Sequence, residues 1–153
     1  MSNRIFRGKV FRKNRRTGEY FDCGWVYGDL HHHYNGNLST MISNIDDERL
    51  ETNTYDVDLC SVSQSTGLKD KNDKLIFEGD IVKHKFRRIW QTKEHISIVV
   101  WCQDYCCYYL HDGISNHRMR NDMVYEIIGN DYENKELSPM KEKAVSVVRN
   151  LPF

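Results

Sequence analysis

The stretch STGLKDKNDKLIFEGDIVK, residues 65–83, decides how the chain is read. Ser65-Thr66-Gly67-Leu68 reads as a turn, with Gly67 as the permissive residue. Lys69–Lys74 reads as a second turn, in which Asp and Asn side chains bond their own backbone. Leu75–Phe86 then follows as a strand bent at Glu78-Gly79-Asp80. Leu75 and Phe77 fall on one side, and Ile81 and Val82 resume after the bend. Gly79 supplies a bulge or a positive φ, and Asp80 caps the amides freed there. Two tight turns thus deliver a bent strand into a small barrel.

Working outward, short strands recur with turn signals between them, the pattern of a small sandwich or barrel. Toward the N-terminus, residues 3–11 read as a short strand and residues 13–20 as a loop punctuated by Thr17-Gly18. Residues 20–34 are aromatic and β-branched and read as one strand, with Gly24 as a bulge. Asn35-Gly36-Asn37 is a hairpin signal, because Asn-Gly accepts positive φ at both turn positions, and residues 38–45 return as its partner. Residues 46–55 are polar, a loop or one helical turn. Residues 55–64 alternate Tyr55, Val57 and Leu59 against Asp56 and Asp58, a half-buried strand. Toward the C-terminus, residues 95–101 place Ile96, Ile98 and Val100 on one face. Residues 106–113, a polar hairpin at 114–123 and residues 124–130 complete the set, and residues 141–151 have helical spacing at Ala144, Val147 and Val148. The expected barrel core contains Ile81, Val99, Tyr109 and Ile127.

The chain has 153 residues, one domain or two small ones, long enough to bury a real core despite a mean hydropathy of −0.70. Nine Tyr, six Phe and three Trp supply much of that core and favour β structure. Net charge is zero, which gives no overall push toward nucleic acid or membrane. Its distribution is uneven. Residues 1–20 hold seven basic residues against Glu19 alone, and residues 46–58 hold six acidic residues against Arg49 alone. Such runs ordinarily form solvated faces, and here they also suit self-association. No secretory signal and no membrane span is expected, and an odd count of five cysteines suits reduced thiols in a cytoplasm.

The chain resembles the YopX family of bacteriophages and prophages of Gram-positive bacteria. Three stretches carry the resemblance in order: WVYGDL at 25–30, YDVD at 55–58 with STGLKDKNDKLIFEGDIVK at 65–83, and VYEIIGNDYENKEL at 124–137. Two places depart from the family pattern. LCSVSQ, 59–64, stands where a Pro-Glu-Thr-Val-Gly-Gln-like run is usual, and Asp73 stands where a Gly is common. Asp takes the left-handed backbone less readily than Gly but better than most residues, so the local turn geometry is affected rather than the fold. The resemblance implies a mainly β fold with an antiparallel, SH3-like barrel in the C-terminal half, and it transfers no catalytic residues. The expected organisation is an N-terminal β segment, 1–64, the barrel, 65–138, and a tail, 139–153, forming a short helix.

His31 and His33 share a strand face, a partial metal site at most, since structural zinc needs four ligands and no Cys-x-x-Cys is present. They read as surface histidines. Cys102, Cys106 and Cys107 read as small hydrophobes in strands, with Cys102 and Cys106 on one face. No P-loop, GxGxxG or fixed nucleophile–base pair appears. The expectation is no catalytic residue, no metal and no cofactor. The strongest functional signal is basic and aromatic: Lys83, Lys85, Arg87, Arg88 and Trp90 in one loop, with Arg12, Lys13, Arg15 and Arg16 near the N-terminus. Interleaved cations and rings suit phosphate contact with base stacking.

The expected protein is a phage-encoded accessory protein of the YopX type. It is not an enzyme, and it acts in the host bacterial cytoplasm as a binding or self-assembling module. Its partner is another copy of itself or a phage or host protein, and no membrane is involved. Nucleic acid is the alternative partner, through the residues just named. A small-barrel nuclease is the third reading, on fold analogy alone.

Overall fold

The computed structural model describes residues 5–34, 38–46, 51–86 and 93–140. The fold is mainly β, with eleven strands in two antiparallel sheets and two 3-10 turns among the described residues. The chain divides into two compact units, Met1–Ser65 and Thr66–Phe153.

The first unit holds β1 (Phe6–Lys13), β2 (Tyr20–Tyr34), β3 (Leu38–Asp46), β4 (Glu51–Asp56) and the start of β5 (Ser63–Lys69), in the order β4-β3-β2-β1-β5. β2 is the long strand that was expected, and it serves two partners. Residues 20–28 pair with β1 and residues 29–34 with β3. The bulge falls at Gly24, φ +94°, where the register jumps from Lys9 opposite Trp25 to Phe11 opposite Asp22. The Asp22 carboxylate secures it by accepting from the Gly24 N–H at 2.7 Å. Val10 and Ile42 are buried, and so are two cations of β1, Arg7 and Lys9. Each is compensated: the Arg7 Nε donates to Ser63 Oγ at 2.8 Å, and Lys9 Nζ lies 2.7 Å from Asp22. Both also stand over the Trp25 ring, at 4.9 and 5.4 Å, where a desolvated cation gains from the ring quadrupole.

Three local expectations are corrected here. Glu51–Asp56 is a strand, β4, rather than a loop or helical turn, because pairing with β3 supplies the partners that polar residues do not advertise. Residues 55–64 are not one strand. They break at a 3-10 turn, Leu59–Ser61, capped by the Asp58 carboxylate accepting from the Cys60 N–H at 3.0 Å. Residues 65–68 are part of β5 rather than a turn, though Gly67 is the permissive residue expected, at φ +79° within the strand. The Asn35-Gly36-Asn37 turn and the helical spacing at 144–148 lie outside the described residues.

The second unit holds the rest of β5, β6 (Leu75–Phe77), β7 (Asp80–Phe86), β8 (His95–Cys102), β9 (Cys107–His111), β10 (Asn116–Arg118) and β11 (Met123–Asn130). Its five-stranded sheet has the order β10-β9-β8-β7-β11. The turn at 70–74 forms as expected. Asp70 Oδ1 accepts from the N–H groups of Asn72 at 2.8 Å and Lys74 at 3.0 Å, and Asp73 sits at φ +65°. Burial pushes the Asp70 carboxyl up, but these donors and the Ile127 N–H outweigh it and hold it below its ordinary value. The bend at Glu78-Gly79-Asp80 is sharper than a bulge. It ends β6 and starts β7 in the other sheet, with Gly79 at φ +79°.

The core of this unit is Ile76, Val82, Val99, Leu110, Met123 and Tyr125, with Ile127 packed against it. Ile81 and Val99 are fully buried, as expected. Tyr109 is not a core residue. The alternation of β9 turns Leu110 and Tyr108 to the core and gives Tyr109 the other face, where it meets Tyr105. On β8 both faces are buried at the centre of the strand, Val99 as expected and Ile98 on the other side. Ser97 and Val99 are fully buried, whereas Ile96 is exposed.

Candidate nucleic-acid interface

Beyond Val10, every residue from Phe11 to Cys23 is exposed. β1 and β2 continue there as a two-stranded ribbon whose faces cover no core. Lys13 pairs with Tyr20, Arg12 with Phe21 and Phe11 with Asp22. The ribbon is closed by an ordered turn. The Asn14 N–H donates to Glu19 O at 2.7 Å and the Gly18 N–H to Asn14 O at 2.8 Å, while Asn14 Oδ1 accepts from the Arg16 N–H at 2.9 Å. Local chemistry therefore builds the tip.

Cross-strand partners share a face, so the residue types sort cleanly. One face carries Phe11, Lys13, Tyr20 and Asp22, and the other Arg12 and Phe21. Arg15 and Arg16 stand at the turn. Tyr20 is 69% exposed and Phe21 51%, values that demand a reason for rings of this size. Lys13 Nζ lies 5.8 Å from the Tyr20 ring centre. Asp22 is drawn to Lys9 at the base of the ribbon, and that contact, with the Gly24 N–H, holds its carboxyl below the ordinary range. The outer ribbon is thus four cations against Glu19, with aromatics on both faces.

The second unit holds the other basic residues singled out from the sequence. Lys83 and Lys85 lie on the same face of β7, Lys83 opposite Glu126 and Lys85 opposite Val124. With Lys71, Glu94, Glu126 and Tyr125 they border a shallow cleft of about 70 Å³. Lys71 is held to Glu126 at 2.9 Å. Arg87, Arg88 and Trp90 lie outside the described residues.

The histidines and thiols are placed as follows. His31 is exposed, and the His32 ring lies 3.2 Å from Thr40 Oγ1. All five cysteines are free. Cys102 is opposite Cys107 on the β8–β9 hairpin, so these two share a face, and Cys106 sits in the turn at φ +49° rather than in a strand. No group of three or more His, Cys, Asp or Glu is arranged to hold a metal among the described residues. One buried histidine gave no signal in the sequence. His84 is 2% exposed, its Nε2 lies 2.9 Å from Ser97 Oγ, and its ring stacks on His95 at 5.6 Å. Burial first, then the neighbouring His95 and His117, lower its pKa to about 4, against the pull of Asp112.

The ribbon could have been found from sequence by noting the cations at 12–16 flanked by Phe11 before and Tyr20 and Phe21 after, with no aliphatic residue between Val10 and Val26 to face a core.

Fold and site together define an all-β protein of two compact units with a projecting basic and aromatic ribbon. The chain belongs to the YopX protein family, whose model matches residues 6–138. Among curated proteins, none matches the chain.

Proposed function

We propose that this protein is a non-catalytic accessory module, phage-encoded and acting in the host cytoplasm, that binds nucleic acid through the β1–β2 ribbon. The observation that carries this reading is that every residue from 11 to 23 is exposed, with Arg12, Lys13, Arg15 and Arg16 set among Phe11, Tyr20 and Phe21. Cations that release counterions from phosphates supply affinity without a pocket. Lys83 and Lys85 offer a separate basic feature in the second unit, which an SH3-like barrel reading suits. Its meander β7-β8-β9-β10, with β11 returning beside β7, is the strand order of such a barrel.

The test is fluorescence anisotropy of the full chain with labelled single- and double-stranded oligonucleotides at low salt. Binding of roughly micromolar strength that falls steeply with salt supports the reading. No response from either probe removes it.

A second reading, self-assembly, is favoured by β4. It ends the strand order of its sheet among the described residues and carries Asp56 exposed, so its outer edge and charge suit a partner copy's basic ribbon. Sedimentation at low and high salt tests this. A monomer under both conditions excludes it.

A further inference from the structure

We propose that the ribbon enters the major groove of duplex DNA rather than stacking on single strands; this rests on the nucleic-acid reading above. Three features of the ribbon point to a groove. First, cations occupy both of its faces, Lys13 on one and Arg12 on the other, with Arg15 and Arg16 at the tip. A single strand offers one line of phosphates, which one face would follow. A groove offers two phosphate walls, and a ribbon standing between them meets one with each face.

Second, the dimensions agree. The major groove, about 12 Å wide and about 8.5 Å deep, admits a two-stranded β-ribbon. Lys13 lies three residues beyond Val10, the last buried residue of β1, and the turn extends further. At the rise of a strand those three residues alone span about 10 Å. The ribbon can therefore reach the groove floor before the folded unit meets the backbone.

Third, the rings are poorly placed as stacking platforms. Single-strand binding draws on aromatic faces laid open to successive bases. Here Lys13 already stands over Tyr20, and Phe21 lies on the face opposite to Tyr20, so the two cannot form one platform.

The test uses the full chain, a labelled 20-base-pair duplex and the same labelled strand alone, with anisotropy read across a salt series. The expected result is duplex binding roughly tenfold or more tighter than single-strand binding. Methyl green, which fills the major groove, is expected to displace the protein, and netropsin, which fills the minor groove, to leave it bound. Replacing Arg12, Lys13, Arg15 and Arg16 together with Ala is expected to shallow the log–log salt slope by about 3–4. All four residues are exposed, and an unchanged melting curve confirms that the variant folds. Equal or tighter binding of the single strand overturns the duplex inference and leaves the nucleic-acid reading standing. Displacement by netropsin instead overturns the choice of groove. Duplex binding with an unchanged slope in the variant overturns the ribbon as the contact. Failure to bind either probe removes both readings.

Discussion

The Phe77 N–H donates to Asp80 Oδ2 at 2.8 Å across the turn that ends one sheet and begins the other. This contact accounts for Glu-Gly-Asp at 78–80. Gly79 takes φ +79°, its N–H donates to Val99 O at 2.8 Å, and its carbonyl accepts from the Asp131 N–H at 2.8 Å. Asp80 is fully buried, so its carboxylate replaces water for an amide that the turn removes from the ladder.

Asp80→Ala is therefore expected to lower stability by on the order of 1–3 kcal/mol, the cost of stranding a buried donor. Asp80→Asn keeps an acceptor and is expected to lose less. Urea unfolding of the three proteins checks both, and coincident midpoints for Asp80→Ala and wild type would count against the cap.

Leu110 and Tyr109 are adjacent on β9 but face opposite ways. Leu110→Ala is expected to cost about 2–5 kcal/mol, since a fully buried side chain leaves a cavity in the core. Tyr109→Ala is expected to cost distinctly less. Denaturant midpoints in the reverse order would mean that the strand is registered one residue away.

Stability is expected to fall as the pH drops from about 6.5 to about 4. His84 has a folded-state pKa of about 4 against an ordinary 6.5, so within that window the unfolded chain takes up a proton that the folded chain refuses. Above the window the contribution is fully present. Its size is on the order of 3 kcal/mol. Thermal melting at pH 7.5 and 4.5 checks this against the pair His84→Leu with Ser97→Ala, which removes the titrating ring and its hydroxyl partner together. The variant is expected to lose less on acidification than wild type, and an equal loss would assign the effect elsewhere.

Asp73 holds φ +65° at the position where the family commonly has Gly, and its Oδ1 lies 2.8 Å from Lys69 Nζ. Asp73→Val places a β-branched side chain in the left-handed region and is expected to cost about 1–2 kcal/mol. Asp73→Gly is expected to be tolerated, because it removes backbone strain while giving up only an exposed ion pair. Calorimetric midpoints distinguish the two.

Much of this protein was legible residue by residue. Asp70 specifies a tight turn, because its carboxylate accepts from the N–H groups of Asn72 and Lys74, and Asp73 takes the left-handed backbone there. Gly24 and Gly79 mark the places where the chain must leave ordinary strand geometry. Aromatic and β-branched runs bounded by turn residues located β2, β7 and β11, and Gly24 marked the bulge in β2. What sequence could not decide was set by pairing between strands distant along the chain. Glu51–Asp56 is polar throughout and became a strand only because β3 offered its ladder. Ser65–Leu68 looks like a turn and is a strand because β6 lies beside β5 in its sheet. Tyr109 yielded the core to its neighbour Leu110 because burial on both sides of a central strand erases the alternation that would orient it. The basic segment at 12–16 was visible as charge. Its projection as a ribbon with cations on both faces came only from the β1–β2 register, which the bulge at Gly24 sets.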